Sequence, residues 1–423
     1  MNLNFKKTIN LTAFLLFGSI NFYAQEILSI TQTDLDKRFL EKNFNLIASH
    51  ANIDINRAYK QQALLWDNPY FDTETDLLTL PTNDKATYLD AGQVYFQLQQ
   101  IFRTAKKLKK NAEISEANAK LSEAQFFDLT RTLRHQLHGD FNDLATVYEK
   151  SMWNKMQIDS FSKLTNAVAG EVKQGSMALK DLLLLQTQLV QLQRDAAELE
   201  RSRIPLQTDI QNLLGEKNEL VIIPITDNPQ SVENNNLKSV ADFINTAIES
   251  RPDLKIAAAN TNVQEKTLIY QKALSVPDLT GSISYSKTGS FNTNYFGINL
   301  GLPLPVFNKN QYNIKAAQLV INQQKVLQEA ALVQVSTDVI NAYRRLEDLE
   351  KFRNGPSGKI YKDYEDFFNT NVIKSYRTHQ TTLVDFFVFY QTYQQNKIQQ
   401  IDMDAQIRQA VESLNFVVGK KVR

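Results

Sequence analysis

The sequence predicts a mainly α-helical fold with a small β part, built as two repeats of one unit in which two strands lead into a very long helical hairpin. Three observations predict it. Landmarks recur about 204 residues apart, two pairs of segments alternate apolar and polar residues, and long proline-poor stretches keep helical spacing. Gly92-Gln-Val-Tyr-Phe-Gln-Leu-Gln-Gln-Ile-Phe102 aligns with Gly297-Ile-Asn-Leu-Gly-Leu-Pro-Leu-Pro-Val-Phe307 at a shift of 205. Asp181-Leu182 aligns with Asp385-Phe386, and Leu213-Leu214-Gly215 with Val417-Val418-Gly419, both at a shift of 204. Landmarks that keep register over more than a hundred residues argue for duplication rather than coincidence.

The chain begins with Lys6-Lys7, an apolar run from Leu11 to Phe22, and Tyr23-Ala24-Gln25, which reads as a secretory signal over residues 1–24. The first repeat is expected over 25–215. It opens with a helix from about Thr33 to Leu65, followed by strands near Tyr70 to Leu80 and Tyr88 to Leu98. From Arg103 to Val172 there is no proline and the residues are good helix formers. Seventy residues of helix reach roughly 105 Å, so such a helix must lean on neighbours. The returning segment supplies a heptad seam through Leu182, Leu185, Leu189, Leu192, Ala196, Leu199, Leu206, Ile210 and Leu213. Pro205 lies inside it and predicts a kink or short break.

An inter-repeat segment, 216–250, holds a short strand at Leu220-Val-Ile-Ile-Pro224 and a polar linker from Asp227 to Asn236. The second repeat, 251–423, has the clearest strands: Leu279, Ile283 and Tyr285 alternate with Thr280, Ser282 and Ser284, and Phe296, Ile298, Leu300 and Leu302 with Gly297, Asn299 and Gly301. This period of two suits strands with lipid on one side and a watery lumen on the other; a half-buried hairpin of a soluble sheet gives the same alternation. Four strands cannot close a barrel alone. The helix that follows runs from about Tyr312 to Lys351, breaks at Asn354-Gly-Pro-Ser-Gly358, and resumes from Tyr361 to about Ser375.

Composition narrows function. A net charge of +1 gives no electrostatic case for nucleic acid, and 43% hydrophobic against 22% charged residues marks a folded chain. The absence of cysteine excludes disulfides, thiolate metal ligands and a lipidated N-terminal cysteine. No phosphate-binding glycine loop and no nucleophile arrangement appears, so catalysis and cofactors are not expected. His135 and His138 are spaced to share a metal, but no third ligand is evident and surface histidines are the default reading, so no metal site is assigned.

Several stretches together resemble the TolC-like outer membrane efflux proteins of Gram-negative bacteria: Asn68-Pro69, Gly175-Ser-Met-Ala-Leu-Lys-Asp-Leu-Leu183, Leu213-Leu-Gly215, Arg251-Pro-Asp-Leu254 and Gly301-Leu-Pro-Leu-Pro-Val-Phe-Asn-Lys-Asn-Gln311. The last looks most like the branch serving heavy-metal cation pumps. The resemblance covers nearly the whole mature chain. It implies a homotrimer in which each chain gives four strands to one 12-stranded barrel in outer membrane lipid, continued by an α-helical coiled-coil barrel across the periplasm. It further implies a periplasmic adaptor (membrane fusion) protein and an inner membrane pump of the resistance-nodulation-division type as partners. Cargo would be metal cations or small toxic compounds. A type I protein secretion duct uses the same architecture, and a pore-less periplasmic coiled-coil scaffold is the alternative from another class.

The resemblance places the pore closure at the hairpin tips, which hold Gly175, Lys180 and Asp181 in the first repeat and His379, Thr382 and Asp385 in the second. Three copies of each aspartate would form carboxylate rings that favour cations; aspartate is equally at home capping a helix N-terminus. His379 stands where the first tip has Gly175, so the glycine turn should be missing or rebuilt, and a ring of histidines would make gating pH-sensitive unless this is simply an exposed turn. Pro303, Pro305 and Phe307 mark the strand-to-helix transition, where proline's fixed backbone and missing donor let a strand leave the sheet.

Overall fold

The computed structural model describes residues 26–75, 93–218, 220–226, 239–288, 292–378 and 380–422. The expected signal segment, the polar linker and His379 lie outside the described residues.

The first repeat begins with β1 (Glu26–Thr31), α1 (Gln32–Lys42) and α2 (Phe44–Ala63). The one helix expected over 33–65 is two, because Asn43 ends the first and caps the second: its Oδ1 accepts from the Leu46 amide at 3.0 Å, while its Nδ2 donates to the Leu213 carbonyl at 2.7 Å. β2 (Tyr70–Thr75) and β3 (Gln93–Phe102) follow, the latter running four residues past the expected Leu98; residues 76–92, on which the rest of the two expected strands falls, lie outside the described residues. α3 (Lys107–Lys173) is 67 residues long, about 100 Å at the standard rise, and α4 (Leu179–Leu214) returns along it. Pro205 is exposed and does not break α4; Leu185, Leu192, Ile210 and Leu213 are buried along the expected seam and hold the helix on both sides of it.

β4 (Leu220–Ile225) pairs in parallel with β1. α5 (Val240–Ser250) ends the inter-repeat segment, and α6 (Pro252–Leu274), β5 (Leu279–Thr288), β6 (Asn292–Gly301), α7 (Gln311–Asn354), α8 (Pro356–Phe367), a π-turn at Phe368–Val372, α9 (Ile373–Arg377) and α10 (Leu383–Val418) follow. The break expected over 354–358 is confined to Gly355, because Pro356 falls at the first turn of α8, where its missing N–H costs nothing.

β2, β3, β5 and β6 form one antiparallel sheet in that order. Pairing aligns Phe71, Leu98, Ile283 and Ile298 in one row and Thr73, Phe96, Tyr285 and Phe296 in the next. On the opposite face Gln97 lies beside Ser284 and Gln99 beside Ser282, which is bonded by Gln97 at 2.9 Å and Asn299 at 3.4 Å. The apolar face is bare: Phe296, Ile298 and Leu300 are 79%, 82% and 75% exposed. Neither β2 nor β6 has another described strand on its outer side.

Below the sheet, two mid-length cores pack the short elements against the long helices. One joins Leu35 and Phe39 of α1 to Leu137, Phe141 and Leu144 of α3; the other joins Phe243 and Ala247 of α5 to Val335 and Val339 of α7 and Leu414 of α10. The third core, toward the tips, is aromatic and binds the two hairpins together, with Phe161 against Tyr390 at 4.5 Å and Phe368 stacked on Tyr393 at 4.3 Å.

Candidate functional site

The two candidate regions are the junction between sheet and helices and the far tips of the helical hairpins. At the junction, Lys106 and Asn310 adopt left-handed backbone angles, φ 56° and 58°, one residue before α3 and α7. They stand 204 residues apart, so the structural register here is 204 and not the 205 that aligned Phe102 with Phe307. The sequence alignment slipped because β3 runs on to Phe102 whereas β6 stops at Gly301, ahead of Pro303 and Pro305. The segment after β6 is rebuilt by side chains: Asn308 accepts from the Asn310 amide at 2.9 Å, and Asn310 Nδ2 reaches both the carbonyl and the side chain of Gln271 at 2.8 Å. Phe307 is 93% exposed.

Sequence reasoning missed an ionic clamp at the other three strand–helix corners. Arg103 grips Asp67 and also reaches Asp278 at 3.1 Å. Lys107, buried, donates to Asp278 and to the Val276 carbonyl, each at 2.6 Å, and the Thr104 amide donates to Asp278 at 2.9 Å. Burial pushes the Asp278 carboxyl up, but Lys107, the Thr104 amide and Arg103 together hold it below its ordinary value. The sequence signal was faint: an arginine and a lysine just past a strand, and an aspartate just before the next.

At the first tip, Gly175 takes φ +75°, its amide donates to Val172 and the Ser176 amide to Glu171, a glycine-closed helix end. At the second, the Gln380 amide donates to Ser375 at 2.9 Å, spanning the same five residues. The outer bond of the turn is therefore kept despite the glycine-to-histidine change, in keeping with a rebuilt turn.

Lys180 is exposed and Asp181 half-buried in the first turn of α4, whose N-cap, Ala178, offers no side chain. Asp385 occupies the first turn of α10, where Thr382 Oγ1 accepts from the Asp385 amide at 3.2 Å and donates to its carboxylate at 2.7 Å. The two aspartates thus differ: the Asp385 carboxylate is engaged by its cap, and the Asp181 carboxylate accepts no hydrogen bond among the described residues, its amide alone donating to the Ala178 carbonyl at 3.1 Å. Asp181 makes itself felt on Tyr376, whose hydroxyl is pushed up by burial and further by the Glu171 and Asp181 carboxylates.

The two histidines are not surface residues. His138 is buried, with Nδ1 2.9 Å from Glu412 Oε2 and Nε2 2.8 Å from Asp36 Oδ1, tying α3 to α10 and α1. Burial opposes its charge, yet the two carboxylates raise its pKa to about 9. His135 instead stacks on Phe416 at 4.4 Å, and burial lowers its pKa. Among the described residues no group of three histidine or acidic side chains is placed to hold a metal.

Residues 243–354, from α5 through the second strand pair to the end of α7, match the model of the outer membrane efflux protein family. Solved structures share the fold over nearly the full length. CusC is 16% identical with a TM-score of 0.75, over 95% of this chain and 96% of its own. The CmeC outer membrane channel of Campylobacter jejuni is 13% identical with a TM-score of 0.70, over 100% and 95%. The outer membrane protein VceC of Vibrio cholerae is 14% identical with a TM-score of 0.69, over 93% and 97%. A search of curated proteins finds no match.

Residues 243–354 therefore match the outer membrane efflux protein model, and the chain as a whole has the fold of the solved outer membrane channels.

Proposed function

We propose that three copies of this chain close one duct, the exit of a tripartite efflux system, through which cargo passes passively from an inner membrane pump and its periplasmic adaptor. The observation that carries this is the four-stranded sheet, apolar and bare on one face, polar on the other, and open at both edges. Three such sheets give twelve strands, enough to enclose a lumen lined by Gln97, Gln99, Ser282, Ser284 and Asn299. The mature chain starts after residue 24, and residues 25–215 and 251–423 are the two repeats, joined by 216–250 at mid-length.

The pump is of the resistance-nodulation-division type, and the cargo is metal cations or small toxic compounds; the Leu302-Pro-Leu-Pro-Val306 stretch favours the metal-serving branch. The tips form the periplasmic constriction, with Asp181 and Asp385 as carboxylate rings beside Gly175, Lys180, His379 and Thr382. Asp181 is the better gate residue of the two, since no described residue hydrogen-bonds its carboxylate.

The test is planar-bilayer conductance of the detergent-extracted protein with its oligomeric mass measured on the same sample. A trimer with small, cation-selective conductance is expected; a water-soluble, non-conducting species overturns the proposal.

A further inference from the structure

A cavity of about 860 Å³ lies at mid-length, where the two cores that pack the short elements on the long helices approach each other: Phe141 of one core and Ile407 of the other both line it. Its wall is drawn from both repeats, with α1 and α3 on one side and the start of α6, the end of α7 and α10 on the other. Junctions of this kind, of this size and closed by separate structural units, are where small molecules are commonly held.

The lining is strongly biased in charge. It carries seven lysine and arginine side chains against three carboxylates, in a chain whose net charge is +1. Two of those carboxylates, Asp36 and Glu412, are engaged on either side of His138, which they keep charged at neutral pH. Arg131, Arg353 and Arg408 pair with acids that do not line the cavity, Asp128, Asp404 and Glu149. The other four cations are left over. Lys255, Lys420 and Lys421 are exposed and have no ion pair among the described residues, and Arg134 is near Asp36 alone, its Nε 3.4 Å away without a hydrogen bond. A concave site lined by one sign of charge concentrates counter-ions of the other.

The same wall is also apolar. Phe126, Phe127, Ile407, Val411 and Phe416 line it, and the Phe416 ring is fixed under the Arg131 guanidinium at 4.3 Å and against the His135 ring at 4.4 Å. An inorganic anion alone would leave these side chains wet, and a neutral apolar molecule would cover ammonium groups without compensating them.

We propose that this cavity binds a small amphipathic anion, its carboxylate or phosphate head among the unpaired cations and its apolar body against Phe416 and Ile407. The site lies within one chain and does not rest on the three-copy reading. Because the wall joins the two repeats, an occupant braces them against each other and raises the melting temperature.

The test is calorimetric titration of the full chain in non-ionic detergent with naphthyl phosphate and naphthoate, against naphthol and inorganic phosphate, each corrected for protein-free micelles. Saturable binding of at least one aryl anion, one per chain and with a higher melting temperature, is expected, and naphthol and inorganic phosphate should bind at least about tenfold more weakly. Binding of only one of the two anions names the head that the site prefers. Lys255→Gln combined with Lys420→Gln and Lys421→Gln should melt as the unsubstituted protein does and lose at least about tenfold in affinity. If that variant melts early, Thr33→Trp, which narrows the cavity from an exposed position of α1 without changing its charge, must show the same loss. Binding of neither anion, equal binding of naphthol, or affinity unchanged in a folded variant overturns the proposal.

Discussion

Arg103 donates Nε and Nη2 to the two carboxylate oxygens of Asp67 at 2.7 and 2.9 Å, so the first residue past β3 holds the chain three residues before β2. With Lys107 and Asp278 this ties three strand–helix corners into one charge cluster whose innermost member, Lys107, is buried. Replacing Asp278 with alanine leaves that ammonium a single carbonyl partner. The expected cost is roughly 3 kcal/mol, the range for breaking a buried ion pair. Thermal unfolding in detergent, followed by circular dichroism, checks it; Asp278→Ala should melt well below the unsubstituted protein, while the exposed pair at Arg57 and Asp54 should be dispensable.

His138 makes stability depend on pH in a defined direction. Its pKa of about 9 in the folded chain lies above the ordinary 6.5, so its contribution is fully present below pH 6.5 and is lost as pH rises through about 9. The size of that contribution is on the order of 3 kcal/mol. Melting temperature measured from pH 6 to 10 should fall across this window, and the difference between the natural protein and His138→Gln should vanish at the alkaline end.

The tip aspartates should separate by experiment. Thr382→Ala removes the cap of α10 and should cost about 1 kcal/mol without changing selectivity. Asp181→Ala should leave stability unchanged but reduce cation selectivity and cation block in single-channel recordings. Equal conductance and block in Asp181→Ala, Asp385→Ala and the double variant would remove the gate from these residues.

Adjacent residues of β6 face opposite sides of the sheet, so lysine scanning reads out which side meets lipid. Ile298→Lys should cost about 2–4 kcal/mol toward the middle of the bilayer, and Asn299→Lys should be tolerated and shift conductance instead. Urea titration in lipid vesicles measures the first and bilayer recording the second; similar costs at both positions would contradict the assignment of faces.

Two glycines with positive φ should differ sharply on replacement. At Gly175, φ +75°, an added Cβ meets nothing within 4 Å, so alanine should cost only the left-handed backbone penalty of about 1–2 kcal/mol. At Gly215, φ +65°, the Cβ would stand 2.5 Å from the Lys42 carbonyl oxygen, and the packing of α1 on the end of α4 must give way. Gly215→Ala should therefore show the larger loss in melting temperature by a clear margin.

The repeat, the hairpins and the second strand pair were legible in the sequence because each rests on a period that the residues carry themselves. Phe296, Ile298 and Leu300 announce their face by alternation alone. What stayed hidden depends on partners distant in sequence. His138 looks like any helical histidine until Asp36 and Glu412, 102 and 274 residues away, close on it. Asn43 splits the first helix because it answers Leu213, which no local pattern near it reveals. At the tips the sequence suggested two equivalent aspartates, and the distinction between them came from Thr382, a cap that Ala178 cannot supply in the other repeat.

The two open edges of the sheet also govern how the protein reaches its membrane. β2 and β6 each present a row of peptide groups with no described strand to receive them, and in hydrocarbon every such group left dry costs several kcal/mol. A lone copy therefore cannot insert first and look for neighbours afterwards. On the three-copy reading, burial in the bilayer and meeting the other copies are one event, and its rate should climb faster than linearly with the amount of secreted chain.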